Sequence, residues 1–104
     1  MQINFVDNFL SKTEHQRVYQ YCLKAAYHYG EPDVPGYPPT GMVHNISGDQ
    51  FVYKLFVKNI KDKFEFLNDR KLYRMYVNCF APNENAYFHI DGENGYTLLY
   101  YPNL

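Results

Sequence analysis

The residue pattern of this chain predicts an α+β fold, and three observations carry that expectation. Apolar residues recur at helical spacing in two stretches of the first two thirds. The last third breaks into short alternating runs rich in Tyr, Val and Leu, which suit strands. A segment dense in Pro and Gly divides the two helical stretches. Helices first and strands afterwards is α+β order, not the alternation of βα units. With 104 residues, residues 1–104 make a single domain, large enough to bury a core.

Taken in order, residues 2–6 read as a short strand with Ile3 and Phe5 on one face. Ser11-Lys12-Thr13-Glu14 has the spacing of a capping box, so a helix starts there. It is expected to run to Tyr29 and stop at Gly30, with Pro32 beyond, packing Val18, Cys22 or Leu23, and Ala26 against the sheet. His15 then lies on the helix surface, and His28 in the last turn suits the negative end of the dipole. Residues 31–48, with Pro35-Gly36 and Pro38-Pro39-Thr40-Gly41, read as a loop, either an ordered connector or a binding lid. Ser47 or Asp49 caps a second helix, with Phe51, Leu55, Ile60, Phe64 and Leu67 at helical spacing. Lys54, Lys58, Lys61 and Lys63 cover much of the remainder. After a turn at Asn68-Asp69, strands are expected over residues 72–80, 87–91 and 96–101. Asp91-Gly92-Glu93-Asn94-Gly95 turns between the last two.

Composition excludes several classes. Hydrophobic residues make up 46%, including 12 Tyr and 8 Phe, well above a disordered chain. A net charge of −1 argues against a general polyanion binder. Every Lys and Arg lies at or before Arg74, and beyond it the formal charges are Glu84, Asp91 and Glu93. Cys22 and Cys79 lack C-x-x-C spacing, no basic leader opens the chain, and no apolar run could cross a bilayer. The expectation is a soluble, reduced, cytoplasmic protein with two free thiols and no membrane partner.

One tripeptide bears chemistry. Strand side chains alternate, so His89-Ile90-Asp91 turns an imidazole and a carboxylate to the same face, along with Tyr87. Those are two corners of the facial triad that binds non-haem Fe(II) and leaves positions open. A hydrogen-bonded His–Asp pair at a strand end satisfies the same spacing.

The setting adds to the tripeptide. From Asn85-Ala86-Tyr87-Phe88-His89-Ile90-Asp91 through Gly92-Glu93-Asn94-Gly95 to Thr97-Leu98-Leu99-Tyr100-Tyr101-Pro102-Asn103, the chain resembles the 2-oxoglutarate/Fe(II) oxygenases of the prolyl 4-hydroxylase-like branch. The likeness is closest over residues 72–103. It implies helices packed on part of a double-stranded β-helix, or jelly-roll. It also implies Fe(II) as cofactor, 2-oxoglutarate as cosubstrate, and ascorbate as an accompanying reductant. The activity implied is hydroxylation of a C–H bond in a peptide or protein substrate, with a prolyl residue as the leading target. His89 and Asp91 take the positions of iron ligands. Tyr101 matches a tyrosine whose hydroxyl reaches the cosubstrate carboxylate. Phe80 stands where that family usually has Tyr, and Tyr76, on the same strand face, is positioned to supply a donor instead; aromatic core packing accounts equally well for Tyr76 and Tyr101.

The chain departs from the family after Asp91. No His, Lys or Arg follows it, so the second iron-binding histidine and the cosubstrate's basic partner are missing. The expectation is therefore the N-terminal part of such a domain, inactive alone, with an open sheet edge that invites oligomerisation. His44 is the upstream histidine able to swing toward the site. Two other readings remain. One is a non-catalytic binding or assembly module on a half-barrel. The other is a nucleic-acid contact along Lys54, Lys58, Lys61, Lys63, Arg70, Lys71 and Arg74, which a solvated helix face explains as well.

Overall fold

The computed structural model describes residues 3–30, 32, 34–84 and 95–103. Among them are helices α1 (Lys12–Lys24) and α2 (Phe51–Lys63), a 3-10 turn at Glu65–Leu67, and strands β1 (His28–Tyr29), β2 (Met42–Asn45) and β3 (Tyr76–Cys79). The strands form an open antiparallel sheet in the order β1-β2-β3. The α+β class holds; a jelly-roll is not seen among the described residues.

Helix α1 begins as its sequence dictates. Ser11 Oγ accepts from the Glu14 N–H at 3.1 Å, and Glu14 Oε1 accepts from the Ser11 N–H at 2.9 Å, which closes the capping box. Its end differs from expectation: the helix stops at Lys24, and Ala25 is extended at φ −66°, ψ 148°. Tertiary pairing overrides local propensity here. The Tyr27 hydroxyl donates to the Cys22 carbonyl at 2.6 Å, satisfying a helix-end acceptor. His28 and Tyr29 then pair with Val43 and Met42 in the sheet. His28 is thus a strand residue, not a helix cap. Gly30 is not a helix C′ residue but a close-approach point, since a Cβ there would meet Val43 Cγ1 at 2.7 Å.

Residues 31–48 were expected as a loop, yet Met42–Asn45 is the central strand. Val43 and Ile46 are buried, on opposite faces of the sheet, so burial of β-branched side chains prevailed locally over the nearby Pro and Gly. Two strand expectations fail. Residues 3–6 form no strand, and Ile3 and Phe5 are exposed. Residues 96–101 also form no strand; a side chain rather than a hydrogen-bond ladder anchors them, as described below. The strand expected over 72–80 is observed as its second half, β3.

Helix α2 has Gln50 at its N-cap, and that side chain makes no capping bond. Ser47 and Asp49 are occupied with each other, Ser47 Oγ donating to Asp49 Oδ1 at 2.6 Å. The buried residues are Val52, Phe56 and Asn59, and the expected Leu55 and Ile60 pack half-buried against the core beside them. Phe51 is left 39% exposed. The helix stops at Lys63 because Phe64 leaves helical space at φ −127°, ψ 76°.

Leu10, Val18, Ile46, Val52 and Phe56 form the buried core, with Cys22, Met75, Val77 and Tyr100 packed against it. Leu23 and Ala26 are exposed rather than packed, and Cys79 is half-buried. Aromatic rings close one end: Phe9 stacks on Phe56 at 6.1 Å and on Phe64 at 5.8 Å. Tyr100 meets Phe56 edge-on at 5.3 Å. The same tyrosine's hydroxyl bonds His15 Nδ1, so His15 is tied into the core rather than free on the surface. This docking holds residues 95–103 against the helices.

Candidate functional site

Register fixes which side chains share a face of the sheet, because opposed residues point the same way. His44 opposes Val77, and Val77 packs on the core, so that face lies toward the helices. Asn45 opposes Tyr76 and Val43 opposes Asn78, which places these four on the opposite face. Apart from the buried Val43, that face is polar and open: Tyr76 is 39% exposed, and Asn45 and Asn78 are exposed. Arg74 joins it. Its guanidinium lies 4.2 Å from the Tyr76 ring centroid, and its Nη2 donates to Asn45 Oδ1 at 3.3 Å. A cation is thereby held over an aromatic ring beside a phenol.

The end of this face is clamped. Gly41, at φ +70°, brings the chain against Phe80 in a backbone conformation that favours glycine. The Glu84 carboxylate accepts from the Gly41 N–H and the Ala81 N–H, both at 3.0 Å. The Gly41 bond, then the Ala81 bond, holds the Glu84 carboxyl below its ordinary range. The start of β2 and the turn after β3 are thus tied together immediately before residues 85–94.

His89 and Asp91 lie outside the described residues, as do the strand expected over 87–91 and the turn after it. Tyr76 stands on the helix-free face. Tyr101 is 58% exposed, while its neighbour Tyr100 turns inward. Among the described residues, no hydrogen bond or ring contact joins Tyr76 to Tyr101. Among the described residues, no group of three or more His, Cys, Asp or Glu is placed to hold a metal. No helix among them is long and apolar enough to cross a membrane.

His44 is committed elsewhere. Its Nδ1 lies 3.1 Å from the Ala26 carbonyl, which can only accept, so that nitrogen carries a proton. Its Nε2 is 2.7 Å from the Tyr21 hydroxyl, which also bonds the Gln50 amide. The Tyr21 hydroxyl donates to Gln50 Oε1 and its oxygen also faces Nε2, so the phenol links the imidazole to the start of α2. Both ring nitrogens are occupied, so His44 is not free to swing to a metal. Burial above all, with the negative charge of Asp49 adding to it, raises the Tyr21 phenol above its ordinary range and keeps it a donor. Burial likewise pushes Tyr27 up to about 12 and raises the Cys22 thiol.

Sequence reasoning missed Arg74, Asn45 and Glu84. Arg74 was within reach, since it lies two residues before Tyr76 and alternation puts both on one face. Glu84 was not, because its role needs the fold to bring Gly41 beside it. Comparison with protein-family models, with curated proteins and with solved structures gives no match.

Proposed function

We propose that this chain carries the iron-binding part of a 2-oxoglutarate- and Fe(II)-dependent dioxygenase of prolyl 4-hydroxylase-like type, built on part of a double-stranded β-helix. The observation that carries the reading is the sequence setting of His89-Ile90-Asp91. It lies between a strand closed by Phe80 and the segment Thr97-Leu98-Leu99-Tyr100-Tyr101-Pro102-Asn103. The donor chemistry fits Fe(II): one imidazole nitrogen and one carboxylate oxygen at i, i+2 are two members of a facial set. When bound, iron activates dioxygen and orients the cosubstrate. The chain's own residues bind and shield. The helix-free face offers the Tyr76 hydroxyl beside the Arg74 cation, which suits a carboxylate such as that of 2-oxoglutarate. Tyr101 offers a second hydroxyl, and Phe80 an apolar wall. Ascorbate would keep the iron reduced, and a peptide or protein, with prolyl leading, would be the substrate.

Residues 92–104 hold no His, Lys or Arg, and His44 is engaged by Tyr21 and Ala26. On this reading neither residues 92–104 nor His44 supplies the third protein ligand. Residues 1–104 alone are expected to bind Fe(II) weakly and to form no succinate from 2-oxoglutarate in the presence of oxygen. Iron-dependent succinate formation by this chain alone would overturn the two-ligand reading. The same missing histidine favours, as a second reading, a non-catalytic assembly module. A stable iron-free oligomer in light scattering, with no Fe(II) binding, would select it.

A further inference from the structure

We propose that the groove between α1, β2 and the start of α2 binds a small carboxylic acid with an apolar body. The groove measures about 560 Å³, inside the roughly 300–1,000 Å³ range of small-molecule sites. It lies on the helix side of the sheet, opposite Tyr76, and does not depend on the iron reading.

Its charge has one sign. Arg17 and Lys24 line it, and no carboxylate does. The acid whose charge reaches Tyr21, Asp49, is held in the preceding turn by Ser47. Arg17 is held at the groove: its guanidinium carbon lies over the Phe51 ring, 4.6 Å from the centroid. A cation–π contact engages the charge without consuming the N–H donors, which can still meet a planar anion. The interior wall is fixed as well. Tyr21 bonds both His44 and Gln50, and it meets Phe51 edge-on at 5.7 Å with rings at 89°. Phe51, Ala25 and Ala26 give the apolar surface. An inorganic anion would satisfy the cations but leave that surface wet. An organic acid covers both, which is why a carboxylate on an apolar body fits best.

The test is an NMR titration of the full chain with three probes: phenylacetate, its uncharged isostere phenylacetamide, and inorganic phosphate. Phenylacetate is expected to shift the side-chain amides of Gln16, Gln20 and Gln50 saturably. Phenylacetamide should bind at least about tenfold more weakly, because it lacks the charge-assisted bonds. Phosphate should give no saturable shift at these amides. Arg17→Gln and Lys24→Gln, at exposed positions that leave the core untouched, should each weaken phenylacetate about tenfold. An unchanged amide dispersion elsewhere verifies the fold. Equal binding of the amide, tighter binding of phosphate, no shift with phenylacetate, or indifference to both substitutions would each overturn the proposal.

Discussion

Gly41→Ala is the substitution whose cost the structure defines best. Gly41 sits at φ +70°, and a Cβ there would lie 2.9 Å from Phe80 Cε1 and 3.0 Å from the Cys79 carbonyl oxygen. Left-handed backbone costs an L-residue about 1–2 kcal/mol. Forcing a methyl into an occupied space costs about 1–3 kcal/mol more. A total near 3 kcal/mol should lower the melting temperature by more than about 10 °C, at roughly 4–8 °C per kcal/mol for a domain of this size. Gly36→Ala is the internal control: its φ is +85°, but nothing lies within 4 Å of the new Cβ. That variant should lose only the backbone component, about 1 kcal/mol. Thermal unfolding followed by circular dichroism on both variants reads the difference. Phe80→Ala in the Gly41→Ala background should recover part of the loss, since the two sites share one contact. Equal melting temperatures for Gly41→Ala and Gly36→Ala would refute the packing of Phe80 on Gly41. The clamp that leads into residues 85–94 would fall with it.

Ser11→Ala removes the acceptor for the Glu14 N–H and should cost about 1 kcal/mol in urea unfolding; an unchanged midpoint would mean the cap contributes nothing. Phe56→Ala empties the centre of the aromatic cluster with Phe9 and Tyr100 and should cost about 3–5 kcal/mol, or abolish folding. Glu84 has a folded pKa below its ordinary value of 4.5. Its contribution is therefore present above that value and lost as pH falls through the lower folded one. Glu84→Gln should be less stable than the parent at neutral pH and should flatten that part of the acid dependence; identical acid limbs for the two proteins would argue against the Gly41–Glu84–Ala81 bonds.

The legible parts of the fold were those set by neighbours in sequence. The capping box at Ser11 needs only four consecutive residues, and it formed as read. The strand through Tyr76 and Asn78 needs only alternation. The end of α1 was not legible, because Ala25 and Ala26 are good helix formers. What stops the helix is a distant strand, Met42–Asn45, that competes for His28 and Tyr29. That strand was obscured by the prolines and glycines on its N-terminal side. Of the expected α2 positions Leu55 and Ile60 do pack against the core, whereas Phe51 stays outside it with the Arg17 guanidinium over its ring. Residues 96–101 alternate like a strand, yet Tyr100 binds them through ring contacts and the His15 bond. As for the candidate site, Tyr76 was readable from spacing, whereas its partner Asn45 and the Glu84 clamp depend on contacts across the sheet.

The most direct test of the functional reading is metal binding at His89 and Asp91. Co(II), a spectroscopic substitute for Fe(II), would be titrated anaerobically into residues 1–104 and into the His89→Ala and Asp91→Ala variants, following visible absorption. Weak, saturable binding is expected with one equivalent of metal, lost in each variant while circular dichroism stays unchanged. Binding of the same strength in all three proteins, or none in the parent, would contradict His89 and Asp91 as the metal ligands.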